Sequence, residues 1–193
     1  MSNEALLSID LDRCWGCGTC EVACVLEKKT GPGKGFIKVE ESRSEGGEAL
    51  PGSPQGRSFV PVLCQQCDEP ACAEACPSGA ILQGVSGLVE IDADLCIACG
   101  ACEPACPYGA IAISSASGKP GKCDLCASRQ GVGLLPACVQ HCPGKAITLG
   151  GAAPGGTDPH VQDGASWTPC ETFPARGPSR GWSIGKVRYI ARG

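Results

Sequence analysis

The chain has 193 residues, a formal net charge of -4 and a pI near 5.2, which removes the general electrostatic case for a nucleic-acid binder. Only 4% of residues are aromatic while Gly and Pro supply 28 and 16, so a large hydrophobic core is excluded and something else must hold the fold together. No stretch approaches the roughly 20 apolar residues of a membrane span.

The opening "MSNEALLSIDLDRC" carries no basic region, apolar stretch or twin arginine, so a soluble chain without an export signal of its own is expected. Its "SID" reads as a short strand with Ile9 facing inward, leading into Cys14, Cys17, Cys20 and Cys24. Next comes "GPGKGF", which lacks the spacing and the Lys-Ser/Thr of a phosphate loop. "FIKVEE" reads as another short strand, and "SRSEGGEALPGSPQG" as a polar loop. A second group follows at Cys64, Cys67, Cys72 and Cys76, then the strand "EID" with Ile91 facing inward, then a third group at Cys96, Cys99, Cys102 and Cys106. The fourth is Cys123, Cys126, Cys138 and Cys142. Three groups close on an echo: "CPSGAI" at 76, "CPYGAI" at 106 and "CPGKAI" at 142. There the proline ends a helical turn and "GAI" or "KAI" starts a return strand. From Gly150 the tail is rich in Gly and Pro, lacks periodicity and contains Trp167, Trp182 and "GKVRYIA". It reads either as solvated loop or as a partner-wrapping extension with aromatic anchors.

Sixteen of the 17 cysteines therefore sit in four groups of four, with Cys170 left over as a free structural thiol. A disulfide framework suits small secreted chains, and thiols two or three residues apart are poorly placed to pair across a fold. Zinc asks for pairs of C-x2-C knuckles and leaves the third cysteine at x2, and the fourth at x3 followed by Pro, without a purpose. The run C-x2-C-x2-C-x3-C-P is that of bacterial ferredoxins: three thiolates of one loop grip a 4Fe-4S cube and the fourth ligates the other cluster. Groups one and three match that spacing; group two has x4 and group four x11 before the third cysteine, which are loop insertions that keep the ligand order. Sixteen thiolates thus supply four 4Fe-4S clusters. Internal repetition agrees: "LLSIDLDRCWGCGTCEVAC" and "LVEIDADLCIACGACEPAC" are identical at 11 of 19 positions, only four of them cysteines. Gly18 and Gly100 let backbone approach the clusters.

In the order and content of "CQQCDEPACAEACPSGAI", "CIACGACEPACPYGAI" and "KCDLCASRQGVGLLPACVQHCPGKAI", residues 5 to 149 resemble the four-cluster iron-sulfur subunits of the dimethyl sulfoxide reductase-type molybdenum and tungsten oxidoreductases. That family includes subunits of polysulfide, thiosulfate, tetrathionate and nitrite reductases and formate dehydrogenases. "RCWGCGTCEVAC" with "FIKVEE" also looks like small subunits accompanying tungsten aldehyde oxidoreductases. The resemblance implies that the first and fourth groups exchange their last cysteine, as do the second and third. One cluster would take Cys14, Cys17, Cys20 and Cys142, its partner Cys123, Cys126, Cys138 and Cys24. The inner pair would take Cys64, Cys67, Cys72 and Cys106, then Cys96, Cys99, Cys102 and Cys76. Val25, where the echo has proline, puts the turn after Cys24 in doubt but not the ligation.

The expected fold is α+β: two ferredoxin-like dicluster units in pseudo-twofold relation, with short strands, helical turns and long loops. Residues 1–63 plus 107–149 form the outer, discontinuous unit, 64–106 the inserted inner one, and 150–193 a partner-contacting extension. The resemblance implies a non-catalytic subunit relaying electrons between a molybdenum- or tungsten-pterin catalytic subunit and a membrane anchor with quinone, a ferredoxin or a flavin subunit. A free-standing polyferredoxin shuttle is the alternative. The expected location is cytoplasmic, or membrane-associated through partners, with co-export beside a signal-bearing partner also open. His141 reads as packing rather than a ligand, and Trp15 as a screen between its cluster and water.

Overall fold

The computed structural model describes residues 7–43, 57–84, 87–114, 117–149, 182–184 and 187–190. Each cysteine group is framed by a strand that leads in and a strand that leads out. The leading strands are β1 (Leu7–Asp10), β3 (Arg57–Leu63), β5 (Val89–Ile91) and β7 (Pro120–Lys122). The return strands are β2 (Ile37–Arg43), β4 (Ile81–Gln83), β6 (Ile111–Ile113) and β8 (Ile147–Leu149). Return strand pairs with the next leading strand in β2–β3, β4–β5 and β6–β7, and β8 closes the series on β1. Strands of three residues hold few ladder bonds, so these hairpins depend on what packs against them.

Between the strands lie short helices, α2 (Ala71–Glu74), α3 (Cys102–Ala105), α4 (Ala127–Gln130) and α5 (Ala137–Gln140), and one longer helix, α1 (Thr19–Lys28). The difference follows from one residue. Pro77, Pro107 and Pro143 stop the chain just after the fourth cysteine of their groups, whereas Val25 keeps its N–H and lets α1 run on to Lys28. α1 ends at Lys29, whose φ of 51° breaks the helix.

The chain forms two compact units. One comprises Met1–Cys17, Val39–Pro61 and Cys142–Gly193. Its four-stranded sheet has the order β8-β1-β10-β9, with β9 at Trp182–Ile184 and β10 at Val187–Ile190. β1 runs antiparallel to β8 and parallel to β10, placing Leu7 beside Val187 and Ile9 beside Tyr189. All four of these side chains are fully buried, each contributing about 1.5–3 kcal/mol by the usual apolar scale. The Tyr189 hydroxyl donates to the Pro61 carbonyl at 3.1 Å, which satisfies the one polar atom of that ring. These strands differ from the loop expected for the tail: in "VRYI" the apolar positions alternate, and the alternation is spent on β1. Trp167 and Cys170 lie outside the described residues.

The other unit comprises Gly18–Lys38 and Val62–His141. Here α1 packs on α5 and α2 on α3. Ile81, Val89, Cys102 and Ile111 form one small core, joined by Cys72, Cys76, Ile91 and Cys106; Ala23, Cys126 and Ala137 form another. Cysteine is thus part of the core itself. Phe36 lies so close over Gly121 that a Cβ there would meet its ring at 2.6 Å. Two ion pairs, Lys28 to Asp124 at 2.7 Å and Arg129 to Glu27 at 2.8 Å, fasten α1 to the fourth loop and α4. Among the described residues no helix is long and apolar enough to cross a membrane.

Candidate metal centres

Every C-x-x-C loop bends the same way. The second intervening residue is left-handed in all four: Gly16 at φ 75°, Gln66 at 52°, Ala98 at 57° and Leu125 at 54°. An L-residue there costs about 1–2 kcal/mol, so three of the loops hold strain that only a demanding geometry would retain. The leading turns repeat as well. Asp10 Oδ1 accepts from the amides of Asp12 and Arg13, and Asp92 Oδ1 from those of Asp94 and Leu95. The Asp10 and Asp92 amides in turn donate to the carbonyls of Ala146 and Ala80.

The "CP..A" echo delivers an amide to sulfur. The Ala146 N–H donates to Cys142 Sγ at 3.2 Å and the Ala110 N–H to Cys106 Sγ at 3.4 Å. Cys76 receives the Ala80 amide in the same way and also meets the Ser78 hydroxyl at 3.6 Å, which is the chief reason its thiol is held below the usual range. Cys24, lacking the proline turn, receives the Phe36 amide at 3.3 Å instead. Leu125 N–H reaches Cys123 Sγ at 3.4 Å. Such donors stabilise thiolate over thiol and tune a bound cluster.

The sulfurs meet across groups. Burial pushes the Cys67 thiol up to about 11, reinforced by Cys64, Cys72 and Cys106, the last from the third group. Burial likewise raises Cys72, with Cys64 adding to it and Lys122 opposing it. Cys102 is raised by burial and has Cys72, Cys76 and Cys96 for neighbours. Cys138 is pushed up to about 12 by burial, then by Cys126, Cys24 and Cys20; Cys24, itself raised by burial, senses Cys126. Cys123, also raised by burial, feels Cys138, Cys64 and Cys24. In the first unit Cys14 is raised by burial and lies near Cys142 and Cys17, with the Gly16 amide opposing. Cys99 lies exposed in its loop. None of these sixteen cysteines forms a disulfide, so the disulfide reading fails. A zinc site would hold its sulfurs about 3.8 Å apart, from Zn–S bonds of about 2.3 Å. Among the described residues no three His, Cys, Asp or Glu side chains are grouped to hold a single metal ion.

Cys64, Cys67, Cys72 and Cys106 line one small cavity, walled by Pro107, Tyr108 and Lys122. Two buried residues close to these cysteines in the chain or in space carried no signal in the cysteine pattern. Gln66, fully buried, donates through Nε2 to the Cys123 carbonyl at 2.8 Å and accepts the Val89 amide at 2.8 Å. Lys122 donates to Cys64 Sγ at 3.5 Å and to the Cys123 carbonyl at 3.1 Å. Trp15 is 60% exposed, its ring 3.9 Å from where a Gly144 Cβ would stand, and the Phe59 ring lies 2.4 Å from where a Gly16 Cβ would stand. His141 is exposed at the end of α5.

Residues 13–80 and 56–152 each match a 4Fe-4S dicluster domain. The sequence is 40% identical over 153 residues to YnfG, a probable anaerobic dimethyl sulfoxide reductase subunit of Escherichia coli K12, covering 78% of this protein and 75% of that one. It is 38% identical over 153 residues to the B subunit of anaerobic dimethyl sulfoxide reductase from the same organism, with the same coverage. To the thiosulfate reductase electron transfer subunit PhsB of Salmonella typhi it is 33% identical over 152 residues, 78% of this protein and 77% of that one. Two dicluster domains hold four 4Fe-4S clusters, and the buried, amide-solvated thiols suit them.

Proposed function

The protein belongs to the 4Fe-4S dicluster family that contains the B subunits of anaerobic dimethyl sulfoxide reductases, and from that premise we propose that it is the electron-transfer subunit of an oxidoreductase complex. It makes no catalytic contribution of its own; its residues hold, space and insulate four one-electron carriers. The catalytic subunit it serves carries a molybdenum- or tungsten-pterin, and the far side delivers to or draws from a membrane/quinone, ferredoxin or flavin partner.

The ligand sets proposed are Cys14, Cys17, Cys20 and Cys142; Cys123, Cys126, Cys138 and Cys24; Cys64, Cys67, Cys72 and Cys106; and Cys96, Cys99, Cys102 and Cys76. One observation carries this reading: thiols interlock across groups, with Cys106 beside Cys64, Cys67 and Cys72, and Cys24 beside Cys123, Cys126 and Cys138. Ligand sharing then divides the chain into an inner dicluster unit at 64–106 and an outer one at 1–63 plus 107–149. Compactness divides it differently. The matching turns at Asp10, before the first group, and Asp92, before the third, support a pseudo-twofold relation between the two dicluster units. In these sets the chain's own work is electrostatic: amides of Ala80, Ala110, Ala146 and Phe36 donate to the sulfurs of Cys76, Cys106, Cys142 and Cys24, where such donors offset thiolate charge.

Anoxic purification tests the proposal. About sixteen irons per chain, reducible to paramagnetic species, are expected from four 4Fe-4S sites, together with co-purification of a large molybdenum- or tungsten-containing subunit. A colourless chain, or one that carries its iron but binds no such subunit, overturns it.

A further inference from the structure

Lys122 is the only buried charged residue among the described residues, 6% exposed on the inner face of β7 opposite Ile111. Burying an ammonium is costly unless it is paired, yet Lys122 makes no ion pair with a carboxylate among the described residues. Its donors go to Cys64 Sγ at 3.5 Å and the Cys123 carbonyl at 3.1 Å. Nor does the fold require a cation here. The residue just before the first cysteine is Arg13, Leu63, Leu95 and Lys122 in the four groups, so two loops fill the position with leucine. Arg13 turns its guanidinium to the Gly144 carbonyl at 3.0 Å. Lys122 alone points its charge at a sulfur lining the cavity of Cys64, Cys67, Cys72 and Cys106.

The missing counter-charge is the site itself. Four thiolates leave a 4Fe-4S site net negative, and adding one electron makes it more so; a cation at hydrogen-bond distance favours the reduced form. We propose that Lys122 is a positioning residue for electron transfer, its ammonium raising the reduction potential of the cluster held by Cys64, Cys67, Cys72 and Cys106 above that of its neighbour in the inner pair. This rests on the ligand set proposed above. Because the same ammonium bonds the carbonyl of Cys123, it stands where the fourth loop meets the second.

The test is a redox titration, followed by electron paramagnetic resonance, of the full chain in its complex. Lys122→Met removes the charge at similar length, and Lys122→Arg keeps it. Cys67→Ser and Cys106→Ser mark which signal belongs to the cluster in question. In Lys122→Met that midpoint is expected to fall by at least the equivalent of a tenfold change in the reduced-to-oxidised ratio, 59 mV for one electron, and by more than the midpoint of the cluster holding Cys123, whose carbonyl Lys122 also bonds, while the other two midpoints and the iron content stay as they are. Lys122→Arg is expected to hold the midpoint. If Lys122→Met sheds iron, Lys122→Gln, which retains a donor without charge, is expected to show the same fall. An unmoved midpoint in the charge-free variant that keeps its iron, or an equal fall in Lys122→Arg, overturns the inference. If Cys67→Ser and Cys106→Ser alter different signals, the ligand set fails instead.

Discussion

Gln66→Leu removes a side chain of nearly the same volume and leaves the left-handed backbone unchanged, so strain cancels and two hydrogen bonds remain as the difference. The Val89 amide, bonded to Gln66 Oε1 at 2.8 Å in a buried setting, is left without that acceptor. The Cys123 carbonyl loses the Nε2 donor but keeps Lys122 at 3.1 Å. An orphaned buried group costs about 1–3 kcal/mol and a bond whose acceptor stays satisfied about 0.5–1.5, so the substitution costs about 2–4 kcal/mol in all. At roughly 2–4 °C per kcal/mol for a chain of this size, the apparent Tm drops by ~5–15 °C. The assay is thermal bleaching of the iron-sulfur absorbance at one fixed scan rate, since cluster loss is irreversible. Gln83→Leu is the control: its two bonds, at 3.3 and 3.4 Å, are exposed, and a change within about 0.5 kcal/mol is expected. Equal Tm values for the two variants would refute the reasoning, because burial would then not decide the worth of a glutamine's bonds here.

Gly16→Ala places a methyl 2.4 Å from the Phe59 ring at a φ of 75°, whereas Gly100→Ala, also at 75°, meets open space. The second costs about 1–2 kcal/mol in strain alone and the first a further ~1–3 from overpacking, read as a larger loss of thermal stability. Val25→Pro restores the proline of the echo but breaks α1 at a cost of about 3 kcal/mol, and circular dichroism is expected to show less helix together with lower stability. For pH the sign runs through the protons on sulfur. Burial holds the Cys67 thiol up to about 11 and Cys138 up to about 12, so protons compete with iron for these sulfurs throughout the neutral range. Iron loading therefore releases protons, measurable in an unbuffered cell, and cluster loss to a chelator accelerates as pH falls from 8 to 6. Loss independent of pH would contradict this.

The parts of the site legible in the sequence were those encoded locally. Cysteine spacing placed the loops, "GAI" and "KAI" placed β4, β6 and β8, and "FIKVEE" placed β2, because turn chemistry and short apolar runs act over a few residues. Val25 marked the departure at Cys24, and the structure supplies its consequence, the longer α1 and the Phe36 amide at the sulfur. Gln66 and Lys122 were illegible because the contacts that set them apart, Gln66 with Cys123 and Val89 and Lys122 with Cys64, join residues distant in sequence. Phe59, whose ring lies against Gly16 of the first loop, was illegible because it is distant from that loop in sequence. The tail misled by composition: Gly and Pro hid the alternation of Val187 and Tyr189. β9 and β10 give part of the tail a place in the sheet, while residues 150–181 lie outside the described residues.

β1 lies between β8 and β10, so the sheet that leads into the first cysteine loop joins segments far apart in the sequence: Leu7 pairs with Leu149 on one side and with Val187 on the other. The hairpins β4–β5 and β6–β7, by contrast, each close over a short connection. Loop-closure entropy therefore sets an order of assembly, with the local hairpins forming early and the sheet around β1 forming late.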